Sequence, residues 1–207
     1  DGIYLGNGSV AEIIKNHVIV NGAKTGINLA GSIAVLGNNM VGGTGCTGLS
    51  IVCGGGFGGG GEYSINTNKN NNSDQLLGLS PHAGLQIYYN SFVVNGANPA
   101  VKIQNTCGIQ LKRNMFYNSG TGLAMEIKGY DGNDLNSNEN NLYTTVTTLA
   151  RLNGVGQPNI YLWKQITGMD NNSVSERAYF ISATDFRLTR YNEAFENRYA
   201  YGIGEIE

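Results

Sequence analysis

Apolar and polar residues alternate in short runs along the first two thirds of the chain, and one pattern recurs. It reads apolar, spacer, apolar, two spacers, asparagine, spacer, apolar. Alternation with a period of two is typical of short strands that bury one face. The copies are Ala11, Ile13, Asn16 and Val18; Ile33, Val35, Asn38 and Met40; Leu85, Ile87, Asn90 and Phe92; Ile109, Leu111, Asn114 and Phe116; and a looser fifth at Asn140 and Leu142.

A second pattern, a small residue followed by apolar, spacer and apolar, lies between the copies of the first. It begins at Gly2, Gly26, Gly48, Ala100 and Gly122, with spacings of 24, 22, 52 and 22. The asparagines of the first pattern are spaced by 22, 52 and 24. Because both series contain a gap of 52, we expect one further, distorted repeat between Gly48 and Ala100.

Both series of short strands recur every 22 to 24 residues, apart from the one gap of 52. This regular recurrence predicts an all-β solenoid, a parallel β-helix in which each coil stacks on the last. We expect about six coils within residues 1–143 and a Gly/Asn-rich surface insertion at about 54–74. The composition agrees, since 31 Gly and 28 Asn supply many tight turns. Residues 144–207 are expected to form a C-terminal capping segment.

One asparagine of each coil is expected to lie in the bend between two strands. Such a residue tolerates left-handed backbone angles, and its amide can bond to the same amide in the next coil. Stacked amides satisfy one another inside the turn. We therefore predict a structural ladder of Asn16, Asn38, Asn90 and Asn114.

The segment "PNIYLWKQITG" predicts a short helix near 159–167, with Asn159 as its N-cap and Gly168 as its end. Its apolar residues are Ile160, Leu162, Trp163 and Ile166. Trp163 either closes the end of the solenoid core or binds a sugar, and the first reading is favoured because a solenoid needs an atypical terminal unit.

The charge and the apolar pattern of the chain argue against two classes of partner, and the cysteine count argues against a disulfide-rich fold. With 13 basic and 15 acidic residues, the chain has no basic surface typical of nucleic-acid binding, and it has no apolar run long enough to span a membrane. Three cysteines, Cys46, Cys53 and Cys107, are too few for a disulfide framework. Two readings stay open: a Cys46–Cys53 bridge, or small buried thiols.

The coil pattern resembles the right-handed parallel β-helix repeats of the pectate-lyase-like superfamily. The stretches "NNLYTT", "LWKQITGMDNNSV" and "YFISATDFRL" resemble the closing segment of large secreted or surface β-helix proteins of Bacteroidota exported by the type IX secretion system. The matching residues, in order, are Trp163, Gly168, Asp170, Ser173, Phe180, Asp185 and Leu188. The resemblance implies architecture and an extracellular or cell-surface location, and it implies no chemistry.

Two groups of residues are candidates for binding. Tyr88 and Tyr89, one coil before Lys112 and Arg113, predict an aromatic and basic strip suited to glycan contact. The segment "YDGNDLNSNEN" offers Asp131, Asn133 and Asp134 as a weak Ca²⁺ site, although it departs from the EF-hand pattern. No other cofactor is expected.

No catalytic set is recognised in the sequence, because acidic residues do not recur at the spacing of one coil and His17 and His82 have no carboxylate in register. The leading hypothesis is a non-catalytic β-helical stalk or adhesive module, joined to other modules of a longer chain and contacting glycans or cell-surface components. The alternatives are a polysaccharide lyase or related carbohydrate-active enzyme and, third, a phage tail-fibre segment.

Overall fold

The computed structural model describes residues 1–6, 9–53, 85–106, 108–182 and 184–189. The predicted insertion at about 54–74 lies outside these residues, as do Cys107, His82 and the end of the predicted capping segment beyond residue 189. Within the described ranges the chain forms strands and one short helix.

The strands are three to six residues long. In chain order they are β1 (Ile3–Leu5), β2 (Val10–Ile14), β3 (His17–Ile19), β4 (Thr25–Ala30), β5 (Ile33–Gly37), β6 (Met40–Thr44), β7 (Thr47–Val52), β8 (Leu85–Tyr88), β9 (Ser91–Asn95), β10 (Val101–Gln104), β11 (Ile109–Lys112), β12 (Met115–Asn118), β13 (Met125–Lys128), β14 (Leu135–Asn138), β15 (Asn141–Thr144), β16 (Ala150–Leu152) and β17 (Val155–Gln157), followed by helix α1 (Ile160–Thr167).

These strands form three parallel sheets that surround one core. Sheet A has the order β1-β4-β7-β10-β13-β16-β17, sheet B β14-β11-β8-β5-β2, and sheet C β15-β12-β9-β6-β3. Successive strands of the chain enter sheets A, B and C in turn, and among these strands only β17 pairs antiparallel. The structure is therefore a parallel β-solenoid of about five turns, as the repeats predicted in outline.

The further repeat expected between Gly48 and Ala100 is not part of the stack. β7 pairs directly with β10, with Leu49 opposite Val101 and Ile51 opposite Ile103. β5 and β8 are likewise direct neighbours. The long gap in both series thus lies between strands of adjacent coils, and the stack has one turn fewer than the sequence spacing suggested.

Inward-facing apolar residues of successive coils stack in rows that fill the tube. One row contains Ile27, Leu49, Val101 and Met125, all fully buried. Another brings the rings of Phe92 and Phe116 into a stacked arrangement with centroids 5.9 Å apart. Burial of such side chains is worth about 1.5–3 kcal/mol each, so these rows hold the coils together.

For two copies of the repeat patterns, the predicted register differs from the register observed in the structure. In the second coil Ala34, Leu36 and Val41 face the core, one residue after the predicted Ile33, Val35 and Met40. The sequence "IAVLGNNMV" allows both registers, because apolar residues and an asparagine fall on either set of alternate positions. In the fifth strand of sheet A, Met125 pairs with Val101, where Leu123 was expected.

The predicted helix is present as α1, with the predicted boundaries. The Asn159 side chain accepts a hydrogen bond from the Leu162 backbone N–H at 2.9 Å, and Gly168 ends the helix in a left-handed conformation with φ 68°. Trp163 is fully buried in the solenoid core. Of the apolar residues of the helix, Leu162 and Ile166 are exposed because the helix covers the core with Trp163 and Thr167.

Part of the predicted capping segment covers the outer face of sheet C, a position that the sequence did not predict. Residues 174–182 and 184–189, here called the strap, place Phe180, Phe186 and Leu188 against that sheet. Phe180 meets Tyr117 edge to face at 5.1 Å, and Phe186 meets His17 of the first coil at 6.2 Å. The strap therefore runs back along sheet C from the last coil to the first.

The structure distinguishes in part between the two interpretations of the cysteines, a Cys46–Cys53 disulfide or buried thiols. Cys46 is a free, buried thiol whose pKa is raised by desolvation, so the Cys46–Cys53 bridge is wrong. Cys53 is disulfide-bonded. In the part of the chain described, no helix has the length and apolar character needed to cross a bilayer.

Candidate functional site

Each coil bends from sheet B into sheet C through one residue with left-handed backbone angles. These residues, here called the turn row, are Lys15, Asn38, Tyr89, Arg113 and Glu139, with φ between 54° and 59°. Left-handed angles cost a residue other than glycine or asparagine roughly 1–2 kcal/mol. The asparagine that follows each turn-row residue makes the contacts between coils.

These following asparagines form the asparagine row: Asn16, Asn39, Asn90, Asn114 and Asn140. In each of the first four, the side-chain N–H and the backbone N–H donate to Oδ1 of the asparagine in the next coil. For Asn90 both distances to Asn114 Oδ1 are 3.0 Å. Each inner amide also donates to a strand carbonyl of the preceding coil, as Asn114 Nδ2 does to Ile87 O at 2.7 Å.

The asparagine row contains Asn39 where the sequence analysis placed Asn38. Asn38 lies in the turn row, and its Oδ1 is buried without a hydrogen-bond partner among the described residues. The prediction gave one asparagine both tasks of the bend, the left-handed angles and the contact between coils. In the structure two consecutive residues divide these tasks, and Asn16, Asn90 and Asn114 perform the second.

The asparagine row ends on a buried acid of the capping segment. Asp170 Oδ1 accepts from Asn140 Nδ2 at 3.2 Å and from the hydroxyls of Ser137 and Ser173 at 2.9 and 2.6 Å. Its Oδ2 accepts from Trp163 Nε1 at 2.8 Å. This carboxylate therefore connects the row to the cap, and its four donors assign it a structural task.

The residues predicted for glycan contact lie together on sheet B and its edge. Tyr88 is in register with Lys112 in the neighbouring strand, and its hydroxyl donates to Gln110 Oε1 at 2.9 Å. Desolvation raises the pKa of Tyr88. Tyr89 and Arg113 are neighbours in the turn row, with the guanidinium 5.5 Å from the ring centroid and hydrogen-bonded to the tyrosine hydroxyl.

This strip also contains an acidic residue that the sequence pattern did not predict. Glu139 Oε2 accepts from Arg113 Nε at 2.6 Å, and Oε1 lies 3.2 Å from Lys112 Nζ. Desolvation alone would raise the pKa of Glu139, but the hydrogen bonds from Arg113 and Lys112 outweigh it and lower the pKa. The hydrogen bond to Glu139 in turn raises the pKa of Arg113. Arg113 and Glu139 are separated by the length of one coil, and that spacing was the signal that could have found this acid.

Tyr89, Arg113 and Glu139 thus form a linked aromatic, cationic and acidic group, here called the turn triad. Beside it lies a shallow depression of about 140 Å³, lined by Gln110, Leu111, Lys112, Asn136 and Asn138. The turn triad and this depression present amide, ammonium and hydroxyl groups on a partly exposed surface. Such groups can exchange hydrogen bonds with sugar hydroxyls.

The candidate Ca²⁺ residues lie in an exposed turn before β14. Asp131 Oδ1 accepts from the Asn133 backbone N–H at 3.0 Å, and Asp134 has left-handed angles. Among the residues described, no cluster of three or more His, Cys, Asp or Glu is placed to hold a metal ion. Calcium binding stays a prediction that no observation tests.

Comparison of the chain with protein-family models, with curated proteins and with solved structures gives no significant match.

Proposed function

We propose that the chain is a non-catalytic, extracellular β-helical module of a bacterial secreted or cell-surface protein, which acts as a rigid stalk and contacts glycans through the turn triad and sheet B. The resemblance of its closing segment supports a surface protein of the Bacteroidota type, exported by the type IX system and joined to other modules of a longer chain.

The main support for glycan contact comes from the types of residue that occupy the turn row. Glycine or asparagine would be the least strained residue at each of its five positions. Three consecutive coils instead carry Tyr89, Arg113 and Glu139, whose side chains bond to one another on the surface. Strained backbone occupied by side chains with binding chemistry is a feature of functional sites.

The outer face of sheet B is a better candidate for glycan contact than the outer face of sheet C. The strap covers the outer face of sheet C with Phe180 and Phe186. On sheet B the outward residues of β11 and β14 are polar, with Gln110 beside Asn136 and Lys112 beside Asn138. A polar, corrugated sheet edged by an aromatic ring suits an extended glycan.

The stalk role is supported by the continuity of the stack. The asparagine row bonds every coil to the next, and its inner members are buried and paired. Fully satisfied buried networks rigidify a structure. The disulfide at Cys53 supports an oxidising, extracellular setting, since such bonds are rare in the cytosol.

Glycan-array binding followed by titration tests this proposal with a matched pair of variants. Tyr89→Gly removes the aromatic ring and keeps the left-handed turn, whereas Lys15→Gly makes the same backbone change in the first coil. We expect Tyr89→Gly to weaken glycan affinity by about ten-fold, which corresponds to roughly 1.4 kcal/mol of lost contact. Lys15→Gly should bind as the unaltered protein does.

Two results would overturn the proposal. The first is that no glycan binds, or that both glycine variants bind equally well. The second is steady release of unsaturated sugar products, seen by ultraviolet absorbance when the protein is incubated with acidic polysaccharides. That second result would favour the alternative of a polysaccharide lyase.

A further inference from the structure

The two ends of the solenoid differ. Among the described residues, β1, β2 and β3 are the outermost strands of sheets A, B and C at the N-terminal end, and each has one partner strand. A parallel strand with one neighbour leaves alternate N–H and C=O groups unpaired along its other edge. At the C-terminal end such groups are met by the strap, where Val174 N–H donates to Asn140 O and Val174 O accepts from Leu142 N–H, both at 2.9 Å.

The interior of the first coil is also incompletely covered. Ile3, Leu5, Val18 and Val20 point towards the core but are only partly buried. The counterparts of Ile3, Leu5 and Val18 one coil further are Ile27, Leu29 and Val41, and all three are fully buried. In the described part of the chain, the N-terminal face therefore presents an apolar centre surrounded by three strand edges without a partner strand, which is the surface that every inner coil offers to the coil before it.

The asparagine row gives this face a direction. The hydrogen bonds between asparagines all run towards the C-terminus, and every inner Oδ1 accepts two N–H groups from the asparagine before it. Asn16 Nδ2 and N donate to Asn39 Oδ1. Among the described residues nothing donates to Asn16 Oδ1, so the face presents an acceptor at the position where the row would receive another asparagine.

We propose that the N-terminal face is a docking surface for one further parallel β-solenoid coil, which supplies an asparagine whose backbone and side-chain N–H groups donate to Asn16 Oδ1. This inference rests on the proposed stalk role alone. It does not depend on whether the module binds glycans.

A second copy of the chain does not fit this face. A head-to-tail copy would offer its C-terminal end, which α1 and the residues that hold Asp170 already cover. A head-to-head copy would place one Asn16 Oδ1 against the other, and two acceptors cannot bond. The chemistry therefore selects a coil with donors in the direction of the existing row.

The test adds such a coil. Residues 101–122, with Cys107→Ser, are copied in front of Asp1, because the copy followed by Asp1 and Gly2 then reproduces the spacing between the paired Val101 and Met125. The copied Asn114 lies one coil before Asn16. A matched extension carries Asn114→Leu in the copy alone, which keeps the size of the side chain and removes its amide donors.

Hydrogen exchange followed by mass spectrometry provides the readout. We expect the asparagine-bearing extension to slow amide exchange in β1, β2 and β3 by about ten-fold or more, and the leucine extension to slow it clearly less. Equal exchange with and without the extension would overturn the proposal. So would a stable dimer of the original chain whose β1–β3 amides are protected in the dimer alone.

A measurement on the original chain keeps the test decisive if the extended chains do not fold. β1–β3 should exchange faster than β14 and β15, the outermost strands at the covered end. If β1–β3 are protected as strongly as β14 and β15, the face is already satisfied and the proposal fails. Neither exchange result depends on glycan binding, so the two proposals can fail separately.

Discussion

At the scale of single residues, the fold depends on a division of labour at each bend. The turn-row residue takes the left-handed angles, and the next residue, an asparagine, fills the space between coils with an amide that is bonded on all sides. Because a buried amide without partners is costly, these asparagines define the register of the coils. The neighbouring turn-row positions are free to carry other chemistry.

Two adjacent substitutions separate these roles. Asn39→Ala removes the acceptor of the Asn16 N–H groups and a donor to Ile13 O at 2.7 Å. We expect it to lower the free energy of unfolding by about 2–3 kcal/mol, since buried polar groups lose their partners. Asn38→Gly keeps the left-handed turn and should change stability by less than about 0.5 kcal/mol. Urea unfolding measures both, and similar losses for the two variants would contradict the assigned roles.

The ion pair between the partly exposed Asp185 and the exposed Arg187 in the strap leads to a prediction about pH dependence. The hydrogen bond from Arg187 lowers the pKa of Asp185 from its ordinary value of 3.8 to about 2. A carboxyl with a depressed pKa stabilises the folded strap above its ordinary pKa, and this contribution is lost as the pH falls from about 4 towards 2.

Carbon-13 NMR titration of the Asp185 carboxyl group checks this. In Arg187→Gln the pKa should rise back towards its ordinary value, because the charged donor is gone. An unchanged midpoint in that variant would show that Arg187 is not the cause.

The sequence pattern predicted that asparagines stack, but it could not distinguish which of two consecutive asparagines does so. At Asn38 and Asn39 both registers satisfy the alternation of apolar residues, and only the three-dimensional bend distinguishes them. Tyr89, Arg113 and Glu139 were hidden for a related reason. In a sequence, a turn position with left-handed backbone angles is recognised by a glycine or an asparagine. Tyr89, Arg113 and Glu139 have such angles but are neither residue type.

At the scale of elements, the closing segment completes the solenoid in two ways. Helix α1 places Trp163 over the last coil, and Asp170 links the tryptophan to the asparagine row. The strap then covers sheet C, where Phe186 packs against the first two coils. Gly42 provides the room, since a Cβ there would lie 2.8 Å from the Phe186 ring and 1.8 Å from the Val93 carbonyl oxygen.

Two apolar side chains of the strap, one buried and one exposed, can be compared. Phe186→Ala removes a ring that is 2% exposed and should lower the free energy of unfolding by about 3 kcal/mol. Ile181→Ala alters a side chain that is 54% exposed and should change it by less than about 0.5 kcal/mol. Thermal or urea unfolding gives both values, and a neutral Phe186→Ala would mean that the strap does not pack on sheet C.

The helix was predictable because its caps are local signals, and the strap was not because its partners are distant in sequence. A signal for it does exist in sheet C. Met40 and Val41, Phe92 and Val93, and Met115 and Phe116 are consecutive apolar pairs, which place apolar side chains on both faces of the sheet. Strands of that kind are buried on both sides and require a cover.

At the scale of the whole molecule, the repeats predicted the solenoid and overestimated its number of coils. The long gap between Gly48 and Ala100 looked like two coils, whereas β7 pairs directly with β10, so the gap separates neighbouring coils of the stack. Sequence spacing counts residues, and only strand pairing counts coils. The central claim is therefore the order of strands along sheet A.

Distances between spin labels test that order most directly. Tyr4, Asn28 and Ser50 are outward positions on β1, β4 and β7, and each is replaced by cysteine in turn together with Arg151→Cys on β16. With strands about 4.8 Å apart, the backbone separations from residue 151 should be about 24, 19 and 14 Å, falling by one strand spacing at each step. A Ser50 to Arg151 separation one spacing longer, or distances that do not fall in this order, would contradict the stacked coils.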